Sequence, residues 1–444
     1  MRILHYSLGF PPYRSGGMIK FCMDLMEEQV KCGNEVSLLW PGEIRLLGHK
    51  THIMSRARYG EIQSYEIINP LPVSYDEGIQ AFNAFTAEGD KEVYASFLRM
   101  LKPDVIHVHT LMGLHKNFLS AAKDRGIQVV FTAHDFFPIC PKVTLFRHGQ
   151  ICDCAQSCEQ CAKCNSTALS LQKLAVLQSP IYRKFKNTVI IKALRKQHRD
   201  SFLGDDRDQE PGRIAGLAED YQNLRNYYKS ILSIVDAVHF NSTVTQRVYE
   251  QFFSLPNGRV ISITHSAISD HRKTKLFSPS LMRIRYLGPQ SEAKGFYLLK
   301  TALDELWKTR HDFCLDIHFS PVERSPYMNV HSRYSYNDLE QVFDETDVLI
   351  APSLWCETFG YTVLEALSYG VPVIISGSVG AKDILVTGAG IIIDDISSDK
   401  LLNAFKTLTP EILSEMNRTI CKKQDIMTIQ KMSNMILKEC YVEG

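Results

Sequence analysis

The segment "DVLIAPSLWCETFGYTVLEALSYGVPVI" (347–374) contains an apolar run, a loop, a helical stretch and a second apolar run, in that order. The first run ends at Pro352, and Glu357 lies in the loop beyond it. Glu365 follows eight residues later, about two turns along the chain if this stretch is helical. Burying an unpaired carboxylate is costly, so two glutamates in a stretch with the pattern of buried core are either ligand-binding groups or a solvated loop residue and an exposed helix residue.

The same alternation of strands and helices extends in both directions from this segment. The pattern predicts two α/β domains in series, each with a parallel sheet, and a ligand cleft between them. We expect an N-terminal domain at 1–270, a second domain at 271–425 and a C-terminal amphipathic helix at 426–444. Strands are predicted at 2–7, 34–40, 103–110, 126–135, 282–288, 313–319, 347–353 and 371–376.

The bulk composition is that of a globular protein large enough for two domains. The 444 residues include 50 basic and 49 acidic side chains, and this balance gives no reason to expect nucleic acid as a partner. The N-terminal residues lack the pattern of a signal peptide, and no apolar run is long enough to span a bilayer. We therefore expect a cytoplasmic protein, with the inner membrane face as a further location.

Glu357, Glu365 and Gly360 form an arrangement suited to a phosphorylated sugar. A carboxylate at a strand end reaches into the cleft, and a second one held by the following helix accepts hydrogen bonds from paired hydroxyls. Gly360 permits close approach of the backbone near the helix start, where N–H groups favour an anion.

Several segments together resemble the family 4 glycosyltransferases, which are retaining enzymes of the GT-B fold. The pair Glu357 and Glu365 matches the E-x7-E signature of that family. The other matching segments are "GFPPYRSGG" (9–17), "DVIHVHT" (104–110), "VVFTAHDFFPICP" (129–141), "YLGPQSEAKGF" (286–296), "GVPVIIS" (370–376) and "GSVGAKDIL" (377–385). The resemblance implies two Rossmann-like domains facing across a cleft, with the C-terminal helix packing back on the N-terminal domain.

The resemblance also implies roles for individual residues. Glu365 would bind the ribose hydroxyls of a nucleotide-diphosphate sugar, and Glu357 would contact the sugar being transferred. His134 matches the family histidine that meets the donor sugar, which makes it catalytic together with Glu357 and Lys294. The remaining expected donor-binding residues are Gly16, Gly17, Phe359, Gly360, Gly380 and Ala381.

The expected phosphate clamp departs from the family pattern. Lys294 is present, but Pro289 stands where the family commonly has an arginine. Either Lys294 suffices with help from the amides of Gly380 and Ala381, or another basic residue substitutes, with Arg285 and Lys382 as candidates, or the enzyme is weakened. No D-x-D motif stands at a strand end, so we expect no metal or other cofactor in the chemistry.

A cysteine-rich stretch at 140–164 precedes the second half of the N-terminal domain. The spacing of its thiols is typical of metal ligands, and a structural zinc, an iron–sulfur cluster or plain thiols are all open. Cys140 and His148 belong to the same stretch, and the candidate ligands are Cys152, Cys154, Cys158, Cys161 and Cys164.

The segment "IYRKFKNTVIIKALRKQHR" (181–199) contains seven Lys and Arg residues interleaved with aliphatic ones and no acidic residue. Such a helix suits an anionic membrane surface or, alternatively, a solvated face. By the resemblance, the acceptor would be a glycan or a lipid-linked sugar in polysaccharide or glycolipid synthesis. The alternatives are a nucleotide-sugar epimerase and a non-catalytic carbohydrate-binding relative.

Overall fold

The computed structural model describes residues 1–441 apart from 12, 46–47, 49, 75–76, 148, 153–157, 187, 189–190, 192–215 and 256. The described residues form two open sheets that are almost entirely parallel, each flanked by helices. This confirms the predicted fold class of two Rossmann-like domains.

The first sheet has eight strands in the order β10-β9-β6-β5-β1-β2-β4-β3. All neighbours in it are parallel except β3 and β4, which form an antiparallel hairpin that the sequence patterns did not reveal. Its strands are β1 (Arg2–Tyr6), β2 (Glu35–Pro41), β3 (His52–Tyr59), β4 (Ile62–Ile68), β5 (Val105–Val108), β6 (Gln128–Ala133), β9 (Ala237–Phe240) and β10 (Gly258–Val260).

Helices and one small hairpin surround this sheet. The hairpin consists of β7 (Phe146–Arg147) and β8 (Gln150–Ile151). The helices are α1 (Gly17–Lys31), α2 (Phe82–Phe85), α3 (Lys91–Leu101), α4 (Lys116–Lys123), α5 (Glu159–Cys164), α6 (Leu171–Leu177), α7 (Pro180–Phe185), α8 (Ala218–Leu232) and α9 (Thr243–Glu250). The basic segment 181–199 begins in α7, and most of its remainder lies outside the described residues.

The second sheet has six parallel strands in the order β13-β12-β11-β14-β15-β16. Its strands are β11 (Met282–Tyr286), β12 (Phe313–Ile317), β13 (Met328–Val330), β14 (Val348–Ala351), β15 (Val373–Ser376) and β16 (Gly390–Ile393). Its helices are α10 (Phe296–Trp307), α11 (Leu339–Asp344), α12 (Tyr361–Ser368), α13 (Ser398–Thr407) and α14 (Pro410–Lys423).

The last described helix, α15 (Ile429–Glu439), returns to the first sheet's domain, as the family resemblance implies. It packs against α1, and the Tyr441 hydroxyl beyond it accepts a hydrogen bond from Gln29 of α1 at 3.2 Å. Gln128 of β6 also donates to the Cys440 carbonyl at 3.0 Å. Residues 429–441 are therefore packed against the N-terminal half of the molecule.

Each sheet has one point where the chain reverses its direction of winding, and these points define the crevice. In the first sheet the reversal lies between β1 and β5, and in the second between β11 and β14. Ligands of open α/β sheets bind beyond the carboxyl ends of the strands at such points. The loops after these four strands carry the Gly16–Gly17 pair, His109, Lys294 and Glu357.

The two halves also share apolar packing next to this crevice. Phe21 and Leu25 of α1 belong to the same buried cluster as Phe359 and Leu364. The crevice therefore has a packed apolar base that joins the two sheets. No helix within the described ranges is long and apolar enough to cross a membrane.

Candidate active site

Lys294 and Glu357 form an ion pair at the reversal point of the second sheet. The Lys294 ammonium donates to Glu357 Oε1 at 2.5 Å, and the Ser353 hydroxyl donates to Glu357 Oε2 at 2.7 Å. Burial alone would raise the pKa of Glu357, but the Lys294 charge and the hydrogen bonds from Lys294 and Ser353 outweigh it and lower the pKa. Glu357 is therefore a carboxylate at neutral pH, able to accept hydrogen bonds.

The position of Lys294 depends on the next residue, Gly295. Gly295 has a φ of +73°, and a Cβ there would lie 2.0 Å from the carbonyl oxygen of Pro352. The Ala293 carbonyl accepts hydrogen bonds from the amides of Leu354 and Trp355 at 2.9 and 3.2 Å. These contacts hold the loop after β11 against the loop after β14, which brings the cation to the carboxylate.

The loop that carries Glu357 is bonded to the segment 378–381. The Gly380 amide donates to the Glu357 carbonyl at 2.9 Å, and the Ala381 amide donates to the Phe359 carbonyl at 2.7 Å. Both N–H groups are already used within the protein, so the expectation that they bind phosphate does not fit these bonds. Phe359 itself is buried in the shared apolar cluster, where its ring supports the loop.

Glu365 lies in α12 with a partner that the sequence patterns did not indicate, His265. His265 Nε2 donates to Glu365 Oε1 at 3.0 Å, because the His265 Nδ1 accepts from the Ala267 amide at 3.3 Å. Glu365 is 4% exposed. A single His in the segment "ITHSAIS" (263–269) has no motif to identify it, and only the folded chain brings it to α12.

The Gly16–Gly17 pair lies across from the start of α12. Gly16 has a φ of +129°, and a Cβ on Gly17 would lie 3.5 Å from the Tyr361 ring. The Tyr361 hydroxyl is buried and has no hydrogen-bond partner in the described part of the chain. Gly360, the N-cap of α12, has a φ of +105° and lets the helix start directly behind Glu357.

His134 joins the same crevice from the carboxyl end of β6. Its carbonyl accepts a hydrogen bond from the Thr358 hydroxyl at 3.1 Å, one residue away from Glu357. Its ring lies edge-on to Phe21, with centroids 4.6 Å apart. Burial, with a smaller contribution from His239, lowers the pKa of His134 to about 3, so the ring is neutral at pH 7.

The next residue, Asp135, was not singled out from the sequence. Burial raises the pKa of Asp135 to about 6, although its Oδ1 accepts from the Phe137 amide at 2.9 Å. It directly follows a predicted site residue at a strand end, which is the signal that could have identified it.

Two family profiles match parts of this chain. The profile described as Glycosyltransferase Family 4 matches residues 15–153, and the profile described as Glycosyl transferases group 1 matches residues 325–418. Together the two matches span more than half of the chain. The chain belongs to the family 4 glycosyltransferases.

Solved glycosyltransferase structures share the fold over nearly the whole chain. The sucrose-phosphate synthase of Thermosynechococcus elongatus is 12% identical with a TM-score of 0.57, covering 98% of this chain and 97% of its own. A trehalose-phosphate synthase of Burkholderia xenovorans, with glucose-6-phosphate, is 12% identical with a TM-score of 0.56, and 99% of each chain is covered. Anabaena HepE with UDP-glucose is 13% identical with a TM-score of 0.52, again over 99% of each chain. A search of curated proteins by sequence gave no match.

Arg285 and Lys382, the two candidates to replace the missing arginine of this glycosyltransferase, make contacts with different parts of the second domain. The Arg285 guanidinium is buried, where it donates to Thr346 Oγ1 at 3.1 Å and contacts His318 Nε2 at 3.2 Å. Arg285 is therefore engaged away from the Lys294–Glu357 pair. Lys382 donates to the Gly377 carbonyl at 2.9 Å and lies near Cys356. Burial raises the pKa of the Cys356 thiol, and the charge of Lys382 acts against that effect.

Three of the predicted cysteine ligands lie at or in the short helix α5. Cys158 precedes α5, and Cys161 and Cys164 stand three residues apart within it. Cys158 and Cys161 are buried, whereas Cys152 and Cys164 are partly exposed. Cys154 and His148 lie outside the described residues.

Proposed function

We propose that this glycosyltransferase moves a hexose from a nucleotide-diphosphate sugar to a hydroxyl of a glycan or lipid-linked acceptor, with retention of the anomeric configuration. The contact that carries the proposal is the 2.5 Å pair between Lys294 and Glu357, one residue from the Thr358 hydroxyl that bonds the His134 carbonyl. A cation and a carboxylate are thus in contact, and the loop that carries the carboxylate is bonded to the backbone of a residue with a neutral histidine ring.

Lys294 supplies the positive charge for the departing diphosphate. A fixed cation beside a leaving group stabilises the negative charge that develops in the transition state. Lys382 is the better of the two candidate helpers, because Arg285 is buried among Thr346, His318 and Asp316. Glu365 and His265 would bind the ribose hydroxyls on the other side of Gly360.

The chemistry requires no protein nucleophile. The bond between the anomeric carbon and the diphosphate oxygen breaks, and the acceptor oxygen forms a new bond to that carbon on the same face. The acceptor proton passes to an oxygen of the leaving diphosphate. Glu357 stays ionised and accepts hydrogen bonds from sugar hydroxyls, and the protein acts by orientation and electrostatics.

The first experiment identifies the donor. Because HepE was solved with UDP-glucose, that compound is the first to test by thermal shift, followed by other UDP- and GDP-sugars. Release of the nucleotide diphosphate is then measured with glycan and lipid-linked acceptors, and the anomer of the product is determined by NMR.

Lys294→Met and Glu357→Gln are expected to lower kcat by about 10²–10³-fold, as expected for a lost group that stabilises transition-state charge. The matched control is the exposed pair Lys308 and Glu305, which are 2.6 Å apart on the same domain. Lys308→Met and Glu305→Gln should retain full activity. Donor conversion to an epimer without transfer, or an inverted product, would contradict the proposal.

We also propose that the α6–α7 region docks on an anionic membrane surface, next to the crevice. It exposes Val176 (57%), Ile181 (69%) and Phe185 (50%), with the exposed Lys184 in the last turn of α7. In flotation with anionic liposomes, the wild type should be found with the floating liposomes. The triple variant Val176→Ser, Ile181→Ser, Phe185→Ser should stay in the soluble fraction. Leu276→Ser and Val322→Ser remove even more exposed apolar side chains, 97% and 87%, from the other domain and should still float. Flotation that is unchanged in the triple variant would exclude this surface.

A structural zinc is proposed for the cysteine cluster. Cysteine sulfurs are suitable zinc ligands, and Cys158, Cys161 and Cys164 lie at or in the short helix α5. Elemental analysis of the purified chain should give one zinc per molecule, lost in Cys161→Ser. Iron with visible absorbance, or no metal, would contradict this assignment.

A further inference from the structure

Five histidines form one chain of hydrogen bonds beneath the crevice, and the reaction described above uses only the last of them. They come from the four central strands β1, β5, β6 and β9, or from the residues directly after these strands. Except for the last, these rings are buried. The histidines are His239, His107, His5, His109 and His134.

At one end of this chain the donor and acceptor of each hydrogen bond can be assigned. His239 Nε2 contacts the carbonyl oxygen of Ile261 at 2.7 Å, and a carbonyl only accepts, so His239 carries its hydrogen on Nε2. Its Nδ1 then accepts from the Thr132 hydroxyl at 2.9 Å. The Thr132 oxygen in turn accepts from His107 Nε2 at 2.6 Å, which leaves His107 Nδ1 as an acceptor.

The Tyr441 hydroxyl fixes the direction of the next hydrogen bonds, which lead to Gln29 of α1. Its single hydroxyl hydrogen goes to His107 Nδ1 at 2.6 Å. Gln29 must therefore point its NH₂ group at the Tyr441 oxygen, 3.2 Å away, and its carbonyl at His5 Nε2, 2.7 Å away. His5 consequently donates from Nε2 and accepts at Nδ1.

The remaining two bonds lead back to the crevice. His109 Nε2 donates to His5 Nδ1 at 2.9 Å, so His109 Nδ1 accepts from His134 Nε2 at 3.2 Å. His134 thus carries its hydrogen on Nε2. Its Nδ1 keeps a lone pair and has no hydrogen-bond partner within the described part of the chain.

The chain requires that every ring is neutral, and burial favours that state. Burial lowers the pKa of His5 and of His239 to about 4 each, and lowers the pKa of His107 and of His109 well below the usual value. A metal ion bound by His5, His107 and His109 would be the other explanation of such a cluster. All six of their ring nitrogens already have hydrogen-bond partners, so a metal would have to break several of these bonds.

We propose that Tyr441 and Gln29 are positioning residues for His134, which set its Nε2–H tautomer and so present Nδ1 as an acceptor for a hydroxyl of the transferred sugar. The inference rests on the proposed function, since it assumes that His134 meets the sugar. Without the Tyr441 hydroxyl, Gln29 can turn its amide around, and the bonds through His5 and His109 can reverse. His134 would then carry its hydrogen on Nδ1 and lose the acceptor.

The test reads the tautomer directly. The full chain is labelled with ¹⁵N-histidine, and two-bond ¹H–¹⁵N correlations report which nitrogen carries the hydrogen, with the His134 signals assigned by their loss in His134→Gln. The wild type should show Nε2–H at His134. Tyr441→Phe, and independently Gln29→Met, should give a mixture or the Nδ1–H form and lower kcat/KM about tenfold, the effect of one lost hydrogen bond.

The matched control is Tyr6→Phe, which removes another fully buried phenol hydroxyl, bonded to the Met112 carbonyl at 2.8 Å and not part of the chain. It should lower stability without changing the His134 spectrum. The double variant Gln29→Met, Tyr441→Phe should be no worse than either single one, because both break one chain.

The outcomes separate the two proposals. A wild-type His134 in the Nδ1–H form, or a spectrum unchanged in both Tyr441→Phe and Gln29→Met, would overturn the inference even if His134→Gln is inactive. Full activity of His134→Gln would instead remove the sugar contact from the proposed function, whatever the tautomer.

Discussion

At the scale of single residues, the site depends on glycines as much as on charged groups. Gly295 has a conformation that L side chains rarely adopt, and it lies close to the Pro352 carbonyl. This close approach fixes the backbone position from which the Lys294 side chain extends. Gly17 faces the Tyr361 ring, and Gly360 turns the chain into α12 directly behind Glu357. The charged residues can meet because these positions carry no Cβ.

We predict that Gly295→Ala disables the enzyme. The added Cβ would lie 2.0 Å from a backbone oxygen, so the loop must move, and we expect the free energy of unfolding to fall by at least ~3 kcal/mol. Displacement of Lys294 should lower kcat about 10²-fold. The measurements are urea unfolding and nucleotide release.

Gly33→Ala is the matched control for this prediction. Gly33 has a similar φ of +82°, but nothing lies within 4 Å of the position that an added Cβ would take. It should therefore lose only the ~1–2 kcal/mol of left-handed strain and keep its activity. Equal losses in the two variants would show that steric contact with Pro352 is unimportant.

At the scale of elements, α15 packs on a different domain from the one that it follows in the sequence. It follows the second sheet along the chain but packs on α1, and Ile436 is fully buried in the cluster that also contains Phe21 and Phe359. The helix thus contributes to the apolar base of the crevice. The polypeptide continues from this helix to Tyr441, whose hydroxyl joins His107 to Gln29 in the hydrogen-bonded series of histidines.

We predict that Ile436→Ala lowers the free energy of unfolding by ~2–5 kcal/mol, since it removes buried methyl groups and leaves a cavity. Ile412→Ala in α14 is the control, because Ile412 is 37% exposed there and its truncation should cost under ~1 kcal/mol. The difference is read from the urea midpoints. Similar midpoints for the two variants would indicate that α15 does not contribute to the core.

At the scale of the whole molecule, the buried histidines tie stability to pH. Burial lowers the pKa of His115 to about 4, as it does for His5 and His239, whereas the same groups titrate near 6.5 in the unfolded chain. Below pH 6.5 the unfolded state therefore binds more protons than the folded state. Asp135 acts in the opposite direction, because its pKa is raised to about 6 in the fold.

We predict that the melting temperature falls steeply as the pH decreases from 6.5 towards 4. Each histidine that stays neutral in the fold removes about 1.4 kcal/mol of stability per pH unit in this range. His115→Gln should reduce that slope by the contribution of one histidine. Tyr94→Phe, which removes the hydroxyl bonded to His115 Nδ1 at 2.7 Å, should lower stability but keep the slope. A slope unchanged in His115→Gln would contradict the prediction.

The sequence by itself determined the alternation of strands and helices, because hydrophobic periodicity is a local property of the chain. It also determined that Glu357 follows a strand and that Glu365 lies in the next helix, although α12 begins only at Tyr361 and the expected two helical turns between the glutamates are reduced to about one. The antiparallel β3–β4 hairpin was missed, since exposed β3 lacks the apolar run that marks the other strands.

Only the tertiary structure decided which residues meet. Glu365 pairs with His265 across 100 positions, and Lys294 reaches Glu357 across 63. The histidine chain depends on the order of β1, β5, β6 and β9 in the sheet and on a tyrosine 334 positions from its partner. Strand order and helix docking arise from contacts between distant segments, which leave no periodic pattern within any one of them.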